Sequence, residues 1–447
     1  MNHIKRSRIT KALTDRPDED TGFDVAEARL AGVRVAVVVL PDYAGTAAGQ
    51  AAALTAVATS FKCFGNVVLC AQRDVNMVKP LSIGNTLYSA ASALGARLSV
   101  TVPLDITSLI LIGDDTDLWN CTFAIRCWWE GWLAGVVPIF DRRPLGRSGN
   151  PLAGVLAGAL AVREIFASLL GSSRAGTHAS IASIWEPWLT PERTSVGPVT
   201  AYFPRKLWFI GLGHLGQGYL WSLGLLPVAG SHAVLQDDQR IGVENEATGI
   251  LTGGNDLNLP KTRVAARWLE STGWTTSLIE RRNHGDIPLL ENDPPIVLTG
   301  LDESQPRLEI ATAAGFPYMI DAGVGHGPLD FENLQISVLK KGLDPTGFWS
   351  AKEKPRDIEA LLRRKPYKVH SEEFGVCGTM GLAQASVAVP FVGAAVGALA
   401  IGQAIRLASM LETVQIMQLG LGAPDMVMSG IKNAAPESGL GSIEVAL

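Results

Sequence analysis

Two stretches of this chain can be laid over one another without a gap: PLAGVLAGALAVREI (151–165) and PFVGAAVGALAIGQA (390–404). The proline, both glycines and the Ala-Leu-Ala triplet coincide. Segments upstream echo each other in the same order. SLILIGDDTDLWN (108–120) ends an apolar strand in Gly-Asp-Asp, as PIVLTGLDESQPR (295–307) ends one in Gly-Leu-Asp. Earlier still, VRVAVVV (33–39) stands where LWFIG (207–211) stands, and each leads into a helix-like run, 47–62 and 214–226. The chain is therefore expected to fold as two copies of one α/β unit, each with a mostly parallel sheet. The expected division is 1–171, a linker at 172–200 rich in Ser, Thr, Gly and Pro, and 201–447. Two tryptophans in that linker, Trp185 and Trp188, suggest that it packs on something.

Composition narrows the setting. Of 447 residues, 47% are apolar and 18% charged, which describes a globular chain with a large core. A net charge of −5 gives no sign of a nucleic-acid partner. The uncharged run Val387–Gly402 is shorter than the roughly 20 residues that span a bilayer, and its Pro390 and glycines suit a close-packed buried helix. No membrane association is expected. The five cysteines form no C-x-x-C pair, which argues against a structural zinc site and fits a reducing compartment. With no apolar signal-peptide core near Met1, the expected location is cytoplasmic.

The chemistry gathers in the second copy. LWFIGLGHLGQG (207–218) runs a strand into G-x-G-x-x-G at Gly211, Gly213 and Gly216, a loop that aims helix N-terminal N–H groups at a phosphate. The first copy has LPDYAGTAAGQ there, with Pro41 in the turn, and is not expected to cradle a phosphate in the same way. About 20 residues past the loop, Asp237 and Asp238 end the stretch HAVL, where a carboxylate can accept ribose hydroxyls of NAD or ATP alike. Lys261 opens the amphipathic helix KTRVAARWLEST, in reach of phosphates as a point charge. Asp302 ends the strand IVLTGL; beside a triphosphate it would hold Mg²⁺, since two negative groups need a cation between them. Cys377 lies between a charged stretch (340–373) and the apolar run, flanked by Gly375 and Gly378, where a helix start would lower its pKa.

In order, the motifs GLGHLG, QDDQRIGVEN, LPKTRVAARWL, LTGLDESQPR and FPYMIDAGVG resemble the adenylation domain of the ThiF/MoeB and ubiquitin-activating superfamily. The likeness covers 205–425, and 377–408 is similar to the segment after that superfamily's crossover loop, here about 340–380. The kind most resembled is the activating enzyme of bacterial ubiquitin-like conjugation operons, the BilD type. The resemblance implies two tandem Rossmann-like ThiF-type adenylation domains, the first degenerate and the second active. It assigns Gly211, Gly213 and Gly216 to the phosphate loop, Asp238 to ribose, Asn245 and Lys261 to the nucleotide, Asp302 to magnesium and Cys377 to a thioester. Where the family has an arginine against the phosphates, this chain has Thr248; Arg8, or failing it Arg6, is the residue that the inactive half would lend.

The implied substrates are ATP with Mg²⁺ and the C-terminal carboxylate of a ubiquitin-like protein, with transfer onward to a conjugating enzyme. Three alternatives stay open. A sulfur-carrier adenylyltransferase usually has one copy and C-x-x-C zinc ligands. An NAD-dependent oxidoreductase leaves Lys261, Asp302 and the repeat unexplained. A non-catalytic scaffold is argued against by the intact glycine loop.

Overall fold

The structure, a computed structural model, describes residues 5–17, 21–115, 121–313, 315–349, 357–437 and 439–447. The end of the repeated segment 108–120 and residues 350–356 of the expected crossover loop lie outside the described residues. Short, mostly apolar runs, buried along their whole length except at Lys206, form the central strands, as covering a parallel sheet on both faces requires. In the first half these strands are β1 (Val35–Val39), β2 (Val67–Ala71), β3 (Arg97–Ser99), β4 (Ser108–Ile112), β5 (Phe123–Glu130), β6 (Leu133–Pro138) and β7 (Ser180–Ser183). The second half supplies β8 (Lys206–Ile210), β9 (His232–Gln236), β10 (Thr275–Ile279) and β11 (Ile296–Thr299). It continues with β12 (Tyr318–Val324), β13 (Asn333–Lys340), β14 (Ile416–Gly420) and β15 (Ala423–Ser429).

The first sheet runs in the order β3-β2-β1-β4-β5-β6-β7, and the second β10-β9-β8-β11-β12-β13-β14-β15. In each, the first five positions pair in parallel and the following ones antiparallel. The molecule is thus mixed α/β, with two sheets of the same strand order and sense.

Helices fill the space between the sheets. Those used below are α1 (Ser7–Thr14), α2 (Ala47–Phe64), α3 (Pro151–Leu169), α4 (His214–Leu225), α5 (Asn245–Thr248), α6 (Lys261–Ser271), α7 (Lys365–Gln384) and α8 (Pro390–Ala408). The segments that repeat in sequence are α3 and α8, and their shared glycines do the same job twice. A Cβ on Gly154 or Gly158 would lie 2.1 or 2.5 Å from the carbonyls of Ala48 and Ala52 on α2. One on Gly393 or Gly397 would lie 2.8 or 2.1 Å from those of His214 and Gly218 on α4. Only glycine lets these backbones meet. The helices α3 and α8 also pack on each other, so one apolar core runs through both halves. Both are long and apolar enough to cross a membrane, yet their most apolar windows are 83% and 100% buried inside the protein.

The stretch 172–200, expected as a linker, is structured. It contributes β7 to the edge of the first sheet, and Trp185 and Trp188 sandwich the guanidinium of Arg406 at 4.9 and 4.8 Å. The aromatic faces and the unpaired edge of β6 explain why a Ser/Thr-rich segment is held here.

Candidate functional site

Above the C-terminal ends of β8, β9 and β11 lies a cleft of about 660 Å³, a size suited to a nucleotide. Three glycines shape its floor, each for a different reason. Gly211 has φ +84°, a turn that L side chains resist. Gly213 precedes α4 and stays open to the cleft. Gly216 lies under the loop: a Cβ there would sit 2.1 Å from the Gly211 carbonyl. The result is a bare helix N-terminus facing the cavity.

The lysine and the acidic strand end are linked. Lys261, buried at the start of α6, donates to Gln239 Oε1 at 2.5 Å, and its ammonium lies 3.8 Å from where a Gly213 Cβ would be. Asp237 accepts from the backbone N–H groups of Leu212 (2.7 Å) and Gln239 (2.8 Å), so it braces the glycine loop. Asp238 faces the cleft and pairs with Arg282 at 3.7 Å. Asn245 also lines the cleft and accepts from Gly242 N–H at 2.9 Å.

Asp302 is exposed at the mouth, beside Glu303, and makes no ion pair among the described residues. Behind it, Arg307 donates to the Leu301 carbonyl and pairs with buried Asp321 at 3.6 Å. Asp321 also accepts from Thr299 (2.5 Å) and from the Trp349 indole (2.9 Å), which anchors the strand end.

Arg8 enters from α1, in the other half of the chain, and donates to the Ser386 carbonyl at 2.8 Å on the cleft wall. Arg6 turns away to Glu27 at 2.7 Å. Thr248 is buried, donates to the Glu244 carbonyl at 3.0 Å and does not line the cleft. The cavity thus gathers Arg8, Gly211, Gly213, Asp238, Asn245, Lys261 and Asp302. Cys377 is the one assigned residue left apart from this group and from the Gly216 beneath it.

At the matching place in the first half, the crevice is filled. Asp115 stands at the place of Asp302, and beside it Asp114, at the place of Leu301, has a carboxylate that accepts from Tyr43 Oη (2.6 Å), the Leu145 N–H (2.6 Å) and Arg126 (3.1 Å). Arg126, itself buried, also holds the carbonyls of Asp141 and Arg143, which lays Leu145 into the space. Burial and the Asp114 contact hold the Tyr43 phenol neutral by pushing its pKa up.

Residues 34–184 match the family model described as the BilD N-terminal domain, and residues 203–410 the BilD C-terminal domain. Over 415 residues the chain is 32% identical to "Bacterial E1-like protein BilD" of Collimonas sp. (strain OK412), covering 91% of this chain and 89% of that protein. The chain belongs to the BilD family. The BilD N-terminal match runs through β7, in keeping with that strand's place in the first sheet. The BilD C-terminal match contains Gly211 to Asp302, Cys377 and α8, whereas Arg8 precedes both matched stretches.

Cys377 is exposed, on α7 just past a break at Gly375 (φ 79°, ψ 164°). The break starts a new helical stretch at Cys377, but the residues before it, 365–374, are helical too and not the loop that was expected to lead into a helix there. The chain then runs from α7 into Ser386–Ala388, one wall of the cleft. Burial pushes the other thiols up, Cys70 to about 11 and Cys127 to about 12, with Cys63 and Cys121 raised as well. Sequence reasoning missed the brace at Asp237, the partner Arg282 and the filling of the first crevice. A hint lay in Arg126, a lone charge inside an apolar strand run.

Proposed function

We propose that this chain activates the C-terminus of a ubiquitin-like protein with ATP. What supports it best is that the bare glycine loop, Lys261, Asp302 and Arg8 converge on one cleft, while at the corresponding place in the first half Tyr43, Leu145 and Arg126 close around Asp114. The two halves are then tandem ThiF-type adenylation domains, divided near 172–200, the first degenerate and the second active. The E1-like relative agrees with this reading.

In the proposed reaction a partner's terminal carboxylate attacks the α-phosphorus of ATP, and pyrophosphate leaves. The N–H groups at the start of α4, Lys261 and Arg8 stabilise charge on the phosphoryl oxygens. Asp238 and Asn245 orient the nucleoside. Asp302 is exposed at the cleft mouth with no ion pair among the described residues, a donor that fits Mg²⁺ completed by phosphate oxygens and water; the metal would neutralise the triphosphate. Most of the protein's work is positioning. The Cys377 thiolate then attacks the acyl carbonyl of the adenylate and AMP leaves, keeping the activation as a thioester for a conjugating enzyme.

The test is ATP–pyrophosphate exchange with the cognate carboxylate protein. Exchange that depends on Asp302 and Lys261 is expected; none with the intact pair of proteins sinks the reading. Cys377 lies on an exposed helix outside the cleft, which keeps a second reading, adenylation without a thioester, as in sulfur-carrier adenylyltransferases. A Cys377→Ala chain that exchanges normally but forms no reducible adduct favours the thioester; an adduct that persists removes Cys377.

A further inference from the structure

A second groove, between the halves, lies behind the short helix α5, on the far side of its chain from the nucleotide cleft. Lys62, near the end of α2, reaches across it from the first half. Its ammonium donates to the carbonyls of Glu246 and Thr252, both at 2.7 Å. These carbonyls belong to residues 242–254, the loop that carries Asn245 and closes one side of the cleft. The four-residue helix α5 is too short to hold its own form, because most of its backbone groups have no intrahelical partner. The same loop is gripped from its own half by Gln217, whose Oε1 accepts from Leu251 N–H (2.9 Å) and Thr252 Oγ1 (3.0 Å). Lys5 pairs with the Glu246 side chain at 2.9 Å, but that pair is open to water and weak.

Resting on the nucleotide reading, we infer that Lys62 is a positioning residue: by capping Glu246 and Thr252 it fixes the Asn245 loop, and so the first half shapes the nucleotide cleft of the second. A charged donor on two main-chain carbonyls is stronger than a neutral one and holds where a surface ion pair does not. The site carries a cost that interface glue alone would not need. Burial pulls the Lys62 pKa down to about 8, against the opposing pull of Glu246 and Asp256. A methionine of similar length would pack there without that cost.

Hydrogen exchange on the full chain reads this directly. In Lys62→Met, amides of 242–254 are expected to exchange about tenfold faster or more, a local opening shift of the size one charged tether supplies. Protection in α4 and β9 stays as in the parent, and Lys62→Arg restores the loop. Thr55→Val removes a different contact between the halves, the 2.9 Å bond from Trp221, and is expected to leave 242–254 unchanged. Unchanged protection of 242–254 in Lys62→Met overturns the inference, as does loosening spread equally over the whole chain. In pyrophosphate exchange the same variant should raise the KM for ATP about tenfold while kcat stays within about threefold. A parent chain with no exchange at all defeats the adenylation reading, while the amide result still decides the role of Lys62.

Discussion

Asp302 and Asp114 lie just past corresponding strands, one place out of register, and are engaged differently. Both are exposed, but Asp302 makes no ion pair among the described residues, whereas Asp114 accepts three hydrogen bonds and fixes Arg126. Asn substitution should therefore separate function from stability. Asp302→Asn is expected to slow adenylation by about a hundredfold or more with an unchanged urea midpoint. Asp114→Asn should leave the rate intact and cost about 1–3 kcal/mol, because buried Arg126 loses the nearer of its two carboxylate partners. Reversed outcomes would mean that the two crevices have been assigned the wrong way round. A third residue sets an acid limit. Burial at the start of α4, with Arg8 nearby, holds His214 down to about 4, its Nε2 lying 2.8 Å from the Val389 carbonyl. Below the ordinary histidine pKa the unfolded chain binds a proton that the folded chain refuses, so stability falls as pH drops from about 6.5 through 4. Between pH 7 and 4.5 the parent should lose about 2 kcal/mol more than His214→Gln, measured by urea unfolding.

Among the elements, the paired glycine helices carry the packing. Alanine normally stabilises a helix interior by about 1 kcal/mol over glycine. At Gly397 the added methyl would meet the Gly218 carbonyl at 2.1 Å, so the sign reverses. Gly397→Ala is expected to cost about 3 kcal/mol in chemical denaturation, whereas Gly347→Ala, with open space around it, should be neutral. A neutral Gly397→Ala would show that α4 and α8 can move apart freely. This is also where the sequence was most readable. Strands such as VAVVV and IVLT and the helix KTRVAARWLES lie within a residue or two of their expected limits, because burial on both faces, or on one, writes a period into the residues. Gly211 and Asp302 were legible for a similar reason, since each sits one to three residues past a strand end, and Lys261 because it opens an amphipathic helix after Pro260. What stayed hidden depends on contacts far apart in the chain. Nothing near Arg8 in sequence points to Ser386, nothing near Lys62 to Thr252, and the Ser/Thr-rich composition of 172–200 concealed a sheet edge whose partner, β6, lies some forty residues earlier.

At the scale of the whole molecule, the two halves share one core through α3 and α8, and the first half sends Arg8 and Lys62 to the second. Calorimetry should therefore find one nucleotide bound per chain, not two, since the space beside Asp114 is already occupied by Leu145 and Arg126. Two sites of comparable affinity would contradict the filled crevice. The helix α1 adds a further tie. Lys11 bonds Tyr367 Oη (2.6 Å) and the Leu382 carbonyl (2.9 Å) on α7, three residues on from the Arg8 that touches the cleft wall. The filled crevice has one more consequence. On the proposed reading, in which only the second half binds nucleotide, the first half has no reason to change shape during a turnover. It can serve as a fixed ruler, setting the distance between cleft wall and loop before any nucleotide arrives, while the motion of the cycle is left to the half that binds.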